Sequence, residues 1–270
     1  MDLDPYFARI GYDGPRTPSL DVLHALHALH PAAIPFEAID CLLDRGVDLA
    51  PEAVDAKLIH GGRGGYCFEH NSLLARVLTT LGFAVQGLAA RVRWNMAPDV
   101  PAQPRTHMVL RVEIDGESWL ADVGFGGCVM PAPIRLLTDH ETHTRHDVYR
   151  LVPNGGEVRL QVLRDGDFVP VHDLSLVPCV PRDYEMANWF TSTHPTSHFR
   201  QNLIAARTTP DARYNLAFNR LTTRPVDGEV TRERLDEAGL ERVLKDVFGL
   251  PVEPSWRPLF TTAVALGDGV

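Results

Sequence analysis

Residues 61–82 read GGRGGYCFEHNSLLARVLTTLG, a glycine-rich turn followed directly by an amphipathic segment. The apolar positions after the turn follow a helical i, i+3, i+4, i+7 pattern at Leu74, Val77, Leu78 and Leu81. Gly82 lies where a helix commonly ends, so the spacing predicts a helix over 67–81 with Cys67 in its first turn. Free backbone N–H groups and the positive end of the helix dipole favour a thiolate at that position.

Two other interpretations of this stretch were weighed. The glycines could belong to a phosphate-binding loop, but no Gly-Lys-Ser or Gly-Lys-Thr follows them. Cys67 could also be a buried structural thiol beside a glycine turn, and this alternative stays open until a base is found for it.

The composition limits the classes of protein that fit. The 270 residues are 44% hydrophobic and 23% charged, which is typical of a globular protein and unlike a disordered chain. No apolar run approaches the ~18 residues of a membrane span, and the acidic N-terminus lacks a signal peptide, so we expect a cytoplasmic protein. A net charge of -9 predicts no general attraction to nucleic acid or to an anionic membrane. The four cysteines are expected to be reduced thiols.

The residue periodicity changes along the chain. It is helical up to about residue 82, approaches two from 83 to 180, and becomes an irregular polar stretch after Pro181. A strand-like segment at 214–224 and a helix at 240–251 follow that stretch. The sequence thus predicts an α+β fold in three parts. These are an N-terminal helical bundle (1–84), a central antiparallel β-barrel or sheet (85–183), and an interdomain segment with an α/β lid (184–270).

A hairpin in the central part supplies a base. In residues 107–124, HMVLRVEIDGESWLADVG, a two-residue turn at 115–116 makes the numbers of facing residues sum to 231. Asp122 then faces Val109, and His107 lies two residues along on the same face. Diagonal neighbours of this kind are roughly 7 to 8 Å apart, a spacing that a histidine and an aspartate side chain can bridge.

The opposite face of that hairpin is expected to form a sheet core, so His107 and Asp122 are predicted to point away from it, toward another domain. A cysteine at a helix N-terminus, a histidine base and a carboxylate that orients it make up the arrangement of a cysteine nucleophile triad. The sequence alone does not show that Cys67 meets the pair.

Four motifs give the chain a resemblance to a known family. They are IPFEAID (34–40), RGGYCFEHN (63–71), THM (106–108) and ADVGFGG (121–127), in the expected order and at suitable intervals. The sequence resembles the arylamine N-acetyltransferases over close to its full length. It lacks the long insertion of some eukaryotic members, so it looks like the bacterial branch.

The resemblance implies a three-part architecture like that of cysteine proteases and a catalytic triad of Cys67, His107 and Asp122. It further implies that acetyl-CoA, a substrate rather than a bound cofactor, acetylates the cysteine. An arylamine, a hydrazine or an N-hydroxyarylamine then takes the acetyl group. The sequence does not name the physiological acceptor, because loops such as residues 94–105 set the acceptor pocket. The preferred acyl donor is also left open, as is the choice between a monomer and a weak homo-oligomer.

Further residues are implied by the resemblance alone. Acceptor binding is assigned to Phe125, Phe36 and Trp94, with ordinary core packing as the alternative for Phe125. Contacts with CoA are assigned to Thr106, Gly126 and Gly127. Glu37 and Arg63 are expected to form a structural ion pair near the site.

The remaining histidines and cysteines are not assigned to chemistry. His24, His27 and His30 lack a completing carboxylate or cysteine, and His140, His143 and His146 are expected to be ordinary histidines of an exposed loop, so no metal site is predicted. His70 is a second candidate base that should point away from the thiol. Cys41, Cys128 and Cys179 are expected to be structural. Two alternative functions remain, a cysteine hydrolase or transglutaminase-like enzyme and a non-catalytic redox-sensing thiol protein.

Overall fold

The structure, a computed structural model, describes residues 1–97 and 99–267. Pro98, inside the 94–105 loop named above, and residues 268–270 at the end of the predicted third part lie outside the described residues. In the described part of the chain no helix has the length and apolar character that crossing a membrane requires.

Helices make up most of the N-terminal part. They are α1 (Asp4–Ile10), α2 (Leu20–Ala33), α3 (Ile39–Leu42), α4 (Pro51–Val54), a π-helical turn (Asp55–His60) and α5 (Cys67–Thr80). Ser19 Oγ accepts a hydrogen bond from the Val22 backbone N–H at 3.3 Å and so caps α2. The helix predicted over 67–81 is confirmed as α5, which buries its apolar face against α1, α2 and the central sheet.

The central part is an antiparallel sheet with the strand order β5-β4-β3-β2-β9-β8-β7-β6. Its strands are β2 (Ala84–Val92), β3 (His107–Ile114), β4 (Glu117–Ala121), β5 (Ile134–Arg135), β6 (Glu141–His143), β7 (Val148–Asn154), β8 (Glu157–Arg164) and β9 (Asp167–Leu174). Leu88, Val109 and Leu120 from one half of the sheet share a buried cluster with Leu160 and Val171 from the other half. The sheet is therefore curled into a nearly closed barrel around that cluster.

The predicted register of the β3–β4 hairpin is confirmed, since Ile114 pairs with Glu117 and Leu110 with Ala121. The sheet core expected on the face opposite His107 and Asp122 is confirmed, but the face that carries them does not point only toward another domain. The face with Leu110 and Ala121 packs on the helices, while the face with Val109 and Leu120 fills the barrel. Both faces are buried because the sheet separates the two cores.

The C-terminal part contains a second antiparallel sheet, of order β1-β10-β11-β12-β13. Its strands are β1 (Phe36–Glu37), β10 (Ile204–Thr208), β11 (Ala212–Ala217), β12 (Arg220–Pro225) and β13 (Thr231–Arg234), and it packs on α7 (Glu237–Asp246) and α8 (Arg257–Gly267). The segment expected as one strand at 214–224 is two strands, β11 and β12, joined by a turn at 218–219. The helix expected at 240–251 is α7, which begins at Glu237 and ends at Asp246. β1 comes from the N-terminal part and pairs with β10, so it joins the two parts directly.

The stretch after Pro181 is not irregular, as its sequence suggested, but begins with a 13-residue helix, α6 (Pro181–Thr193). Proline is well tolerated in a first helical turn, and Asp183 Oδ2 accepts a hydrogen bond from the Val180 backbone N–H at 2.8 Å. The side chains that α6 buries include Asn188, Thr191 and Ser192, which are polar. No apolar stripe marks the helix in the sequence, because its buried face is satisfied by hydrogen bonds instead.

Candidate active site

The glycine-rich turn places Cys67 at the N-terminus of α5 through close packing. A Cβ on Gly64 would lie 2.0 Å from the Pro35 carbonyl oxygen, and one on Gly65 would lie 2.6 Å from Glu69 Oε2. Neither contact tolerates a side chain. The same Glu69 Oε2 accepts the Tyr66 backbone N–H at 3.0 Å, so the turn that the glycines permit is fastened to the first turn of the helix.

A buried network of ion pairs holds the glycine-rich turn in place. Arg63 Nη2 lies 2.7 Å from Glu37 Oε1, which confirms the expected ion pair, and 3.3 Å from Asp40 Oδ2. Lys57 Nζ connects Asp40 Oδ2 at 2.7 Å to Glu69 Oε1 at 2.8 Å. Burial opposes the charge on Lys57, but the neighbouring carboxylates outweigh burial and raise its pKa. The network therefore fixes the turn.

The thiol of Cys67 meets the hairpin pair. Its Sγ lies 3.7 Å from the Thr106 carbonyl oxygen. The thiol, after the Asp122 carboxylate, is among the groups that raise the pKa of His107 against the effect of its burial. His107 Nε2 lies 2.7 Å from Asp122 Oδ2. Because His107 is the first residue of β3 and Asp122 follows the last residue of β4, both side chains lie at the end of the hairpin that α5 approaches.

Asp122 is held in place by several hydrogen bonds besides that of His107. Its Oδ1 accepts from Asn71 Nδ2 and from the Gly124 backbone N–H, each at 2.9 Å. The Asp122 backbone N–H donates to His27 Nε2 at 3.0 Å. The carboxylate is therefore anchored to α5 and its backbone to α2, which leaves the carboxylate little freedom to turn away from His107.

The His107–Asp122 pair is ionised at neutral pH. Burial alone would lower the pKa of His107, but the Asp122 carboxylate and the thiol of Cys67 outweigh it and raise that pKa to about 10. Burial would likewise raise the pKa of Asp122, yet the charge and hydrogen bond of His107 lower it below its ordinary value. The pair is thus an imidazolium beside a carboxylate.

His172 on β9 is a site residue that the sequence analysis missed. It is fully buried, and its ring centroid lies 5.4 Å from that of His107 and 5.7 Å from that of Phe125. Burial, followed by the charge of His107, lowers the pKa of His172 to about 3, so its ring is neutral. Neither ring nitrogen has a hydrogen-bond partner among the described residues.

The three aromatic residues expected to bind the acceptor contact different parts of the molecule. Phe125 packs edge-on against His107, with ring centroids 5.0 Å apart. Phe36 stacks on His70 at 6.3 Å, on the other side of the glycine-rich turn. Trp94 is half-buried against the barrel core, where the Arg164 guanidinium lies 6.0 Å from its ring. The structure therefore places Phe125 against the triad, whereas Phe36 and Trp94 pack against residues outside it.

The residues expected to contact CoA lie directly before β3 and shortly after β4. Thr106 precedes His107, and its carbonyl oxygen lies 3.7 Å from Cys67 Sγ. Gly126 has a φ of 77°, and a Cβ there would lie 3.2 Å from the Phe36 ring. A Cβ on Gly127 would lie 3.0 Å from Asn215 Oδ1. Both glycines thus allow the segment after Asp122 to pack closely on the C-terminal sheet.

Tyr6 and two further histidines, His30 and His70, form a buried chain of hydrogen bonds. We call this chain the histidine relay. The His70 Nε2 lies 3.0 Å from the Gly65 carbonyl, its Nδ1 lies 2.8 Å from His30 Nε2, and His30 Nδ1 lies 2.9 Å from the Tyr6 hydroxyl. A carbonyl oxygen can only accept, so every donor in the relay points toward Gly65. Burial lowers the pKa of both histidines, that of His70 to about 4. His70 is thus neutral and points away from Cys67, as expected.

All four cysteines are free thiols. Cys41 and Cys128 are buried and Cys179 is partly exposed, and burial raises the pKa of all three. None of these three shares the contact with a histidine and a carboxylate that distinguishes Cys67.

Comparisons with known proteins agree with this geometry. A sequence model of the N-acetyltransferase family matches residues 19–257. The arylamine N-acetyltransferase of Mycolicibacterium smegmatis is 44% identical over 241 residues, which cover 88% of this chain and 87% of that protein. A Salmonella typhimurium protein named arylamine N-acetyltransferase / N-hydroxyarylamine O-acetyltransferase is 36% identical over 252 residues, covering 93% and 89%. The structure of Mycobacterium marinum arylamine N-acetyltransferase in complex with CoA is similar with a TM-score of 0.93 at 39% identity, covering 98% of this chain and 99% of that one.

Proposed function

The chain belongs to the arylamine N-acetyltransferase family, and from this premise we propose that Cys67 carries the acetyl group between two substrates. The donor is acetyl-CoA, and the acceptor is the nitrogen of an arylamine or arylhydrazine or the oxygen of an N-hydroxyarylamine. The observation that supports this most directly is that Cys67 Sγ lies 3.7 Å from the carbonyl oxygen of Thr106, the residue before His107, whose Nε2 lies 2.7 Å from Asp122 Oδ2. A thioester on that sulfur is reactive enough to acylate a weakly basic amine.

In the first half-reaction His107 has taken the thiol proton, since its raised pKa keeps the imidazolium charged at neutral pH. The Cys67 thiolate attacks the carbonyl carbon of acetyl-CoA, and a new carbon–sulfur bond forms. The bond to the CoA sulfur breaks, and that sulfur leaves with the ring proton of His107. Asp122 holds the ring orientation during the transfer.

In the second half-reaction the acceptor nitrogen attacks the acetyl-cysteine carbonyl. A carbon–nitrogen bond forms, the bond to the Cys67 sulfur breaks, and His107 takes a proton from the nitrogen. The sulfur leaves as a thiolate beside the imidazolium, so the enzyme returns to its initial charge state. One pocket then serves the two substrates in turn.

Residues around the triad are proposed to bind the substrates. The Phe125 ring, edge-on to His107, is placed to contact an arylamine near the thioester, and Phe36 and Trp94 extend the aromatic surface. We assign CoA contacts to Thr106, Gly126 and Gly127, because glycines without side chains can let a phosphate approach backbone N–H groups.

The larger organisation is part of the same proposal. Parts 1–84, 85–183 and 184–270 would correspond to the three parts of a cysteine-protease-like architecture, with the nucleophile on a helix and the base on the barrel. We propose a monomer or weak homo-oligomer that acts in the cytoplasm on small molecules without a permanently bound cofactor.

Intact-mass spectrometry tests the proposal. The protein is mixed with acetyl-CoA alone, and an aromatic amine is added afterwards. An adduct of about 42 Da should form and should disappear on adding the amine, which is the signature of an acyl-enzyme. Cys67→Ala should form no adduct, whereas the matched variant Cys128→Ala should form it.

Two outcomes would contradict the proposal. An adduct that disappears at the same rate without amine would indicate a hydrolase built on the same three residues. Absence of the adduct from a wild-type protein whose Cys67 still reacts with alkylating reagents would remove acetyl-CoA as the donor.

A further inference from the structure

Three buried side chains at one end of the barrel lie close together, and the acetyl-transfer steps do not need all three of them. His107, Asp122 and His172 each offer one ligand atom, and these atoms lie within 4.8 Å of one another. His107 and Asp122 have a role in the transfer, whereas His172 has none in the steps above. The cluster therefore contains a residue whose burial needs another explanation.

His172 is the informative member of this cluster. Its residue is 0% exposed, and both ring nitrogens lack a partner among the described residues. Leaving a buried polar group unpaired costs about 1–3 kcal/mol, so an apolar ring would be the more stable occupant of this position. The ring of His172 lies beside the rings of His107 and Phe125.

Two imidazoles and a carboxylate are a ligand set found in zinc sites with three protein ligands and an open fourth position. Ligand atoms at about 2.0–2.2 Å from the ion are about 3.4 Å from one another in a tetrahedral site. The distance of 2.7 Å between His107 Nε2 and Asp122 Oδ2 is shorter than this, and the separations in the cluster reach up to 4.8 Å, so binding requires these side chains to rotate. The three side chains come from β9, from the start of β3 and from the residue after β4, which are rigid positions.

We propose that His107, Asp122 and His172 form a binding site for Zn²⁺, and that the bound ion reversibly blocks the triad. The ion takes the place of the proton that His107 Nε2 shares with Asp122 Oδ2. His107 gives up its ring proton on binding, so one proton leaves for each ion bound. Cys67 then has no partner that can receive or return a proton. The binding itself does not depend on the proposed acetyl transfer, whereas the inhibition does.

Binding is tested by titrating the metal-free protein with Zn²⁺ in a calorimeter. Wild type should bind one ion per chain, and Cys67→Ala should bind it with an affinity within about threefold, since sulfur is not a ligand. His172→Phe keeps a buried ring and should bind at least about 100-fold more weakly, because one ligand of the set is lost. His143→Gln, a change at an exposed histidine, should bind like wild type.

Inhibition is tested separately with the acetylation rate, measured for each variant against its own rate in EDTA. Zn²⁺ should inhibit wild type, EDTA should restore it, and His172→Phe should need at least about 100-fold more Zn²⁺ for the same inhibition. His172→Gln serves as a second variant if the phenylalanine protein does not fold, as judged by its thermal melt.

The proposal is overturned if His172→Phe and His172→Gln bind Zn²⁺ as tightly as wild type, or if binding disappears in Cys67→Ala. The second result would make the thiol the ligand. Because binding is measured in a variant without the nucleophile, a failure of the acetyl-transfer proposal would leave this result unaffected.

Discussion

The histidine relay and the His107–Asp122 pair are both fully buried, yet they differ in charge. His70 ends on the carbonyl of Gly65 and is neutral, with its pKa lowered to about 4. His107 ends on a carboxylate and is charged, with its pKa raised. Burial lowers the pKa of both rings, so the partner at the end of the hydrogen bond decides the result.

This difference teaches how to distinguish a chemical histidine from a structural one in a chain with many. The relay fixes the direction of each of its protons, because its last acceptor cannot donate. It therefore fastens α1, α2 and α5 together and moves no proton. The pair at the hairpin end can accept and return a proton, since its charge is balanced by Asp122 and its ring faces a thiol.

The largest expected effect comes from making the His107 environment resemble that of the relay. In Asp122→Asn the ring loses its carboxylate, so we expect a neutral imidazole in the wrong tautomer. By analogy with serine-protease triads, kcat/KM should decrease about 10³- to 10⁴-fold. The measurement is the rate of acetyl transfer, with circular dichroism to confirm folding.

Asp173→Asn is the matched control for this prediction. Asp173 is also an aspartate at the end of a barrel strand, but its oxygens accept hydrogen bonds from Arg159 at 2.6 and 3.0 Å. Its kcat/KM should stay within about threefold of wild type. Equal losses in the two variants would show that carboxylates at this end of the barrel act through stability alone.

A change in the relay should have the opposite profile. His30→Leu leaves the Tyr6 hydroxyl and His70 Nδ1 buried without partners. Each unpaired group costs about 1–3 kcal/mol, so the free energy of unfolding should fall by about 2–6 kcal/mol. Urea denaturation measures this loss, while kcat/KM measured below the unfolding range should change less than about threefold.

A large loss of kcat/KM in folded His30→Leu would remove the distinction between the two regions. It would mean that the relay also moves protons or positions the thiol. Tyr6→Phe, which removes the first hydroxyl and keeps the ring, then tells whether the effect comes from the hydrogen bonds or from the lost imidazole.

Much of the fold and of the triad could be predicted because local rules set them. The amphipathic spacing after the glycine turn gave the helix that begins at Cys67, and a two-residue turn set the register that pairs Ile114 with Glu117. That register brought His107 near Asp122 without any long-range information. The meeting of Cys67 with this pair could be inferred only from the family resemblance, since it depends on how α5 packs on β3.

His172 escaped prediction for a physical reason. In the β8–β9 hairpin Arg164 pairs with Asp167, a sum of 331 that also holds for Gln161 and Pro170. An irregularity between Leu160 and Gln161 changes the sum to 332, so that Leu160 pairs with His172. A one-residue shift reverses which face a side chain takes. Pro170 is a sign of irregularity in this strand, but it does not tell where the register shifts.

The smallest expected effect is the pH dependence of the free energy of unfolding. The histidines of the relay and His107 should change this free energy in opposite directions as the pH rises. Burial keeps His30 and His70 neutral in the folded state, so below the ordinary pKa of about 6.5 the unfolded chain binds more protons. Stability should then fall with decreasing pH by about 1.4 kcal/mol per unit for each such histidine. His107 has a raised pKa, so its contribution is complete below about 6.5 and is lost as the pH rises toward about 10.

Urea denaturation at pH values from 5 to 9 measures both limbs. His30→Leu should flatten the acidic limb by about 1.4 kcal/mol per pH unit and leave the alkaline limb unchanged, since one neutral histidine is removed. His107→Gln should flatten the alkaline limb and leave the acidic one. If both variants flattened the same limb, the two histidines would share one charge state. The partner of the ring would then not be what decides its charge.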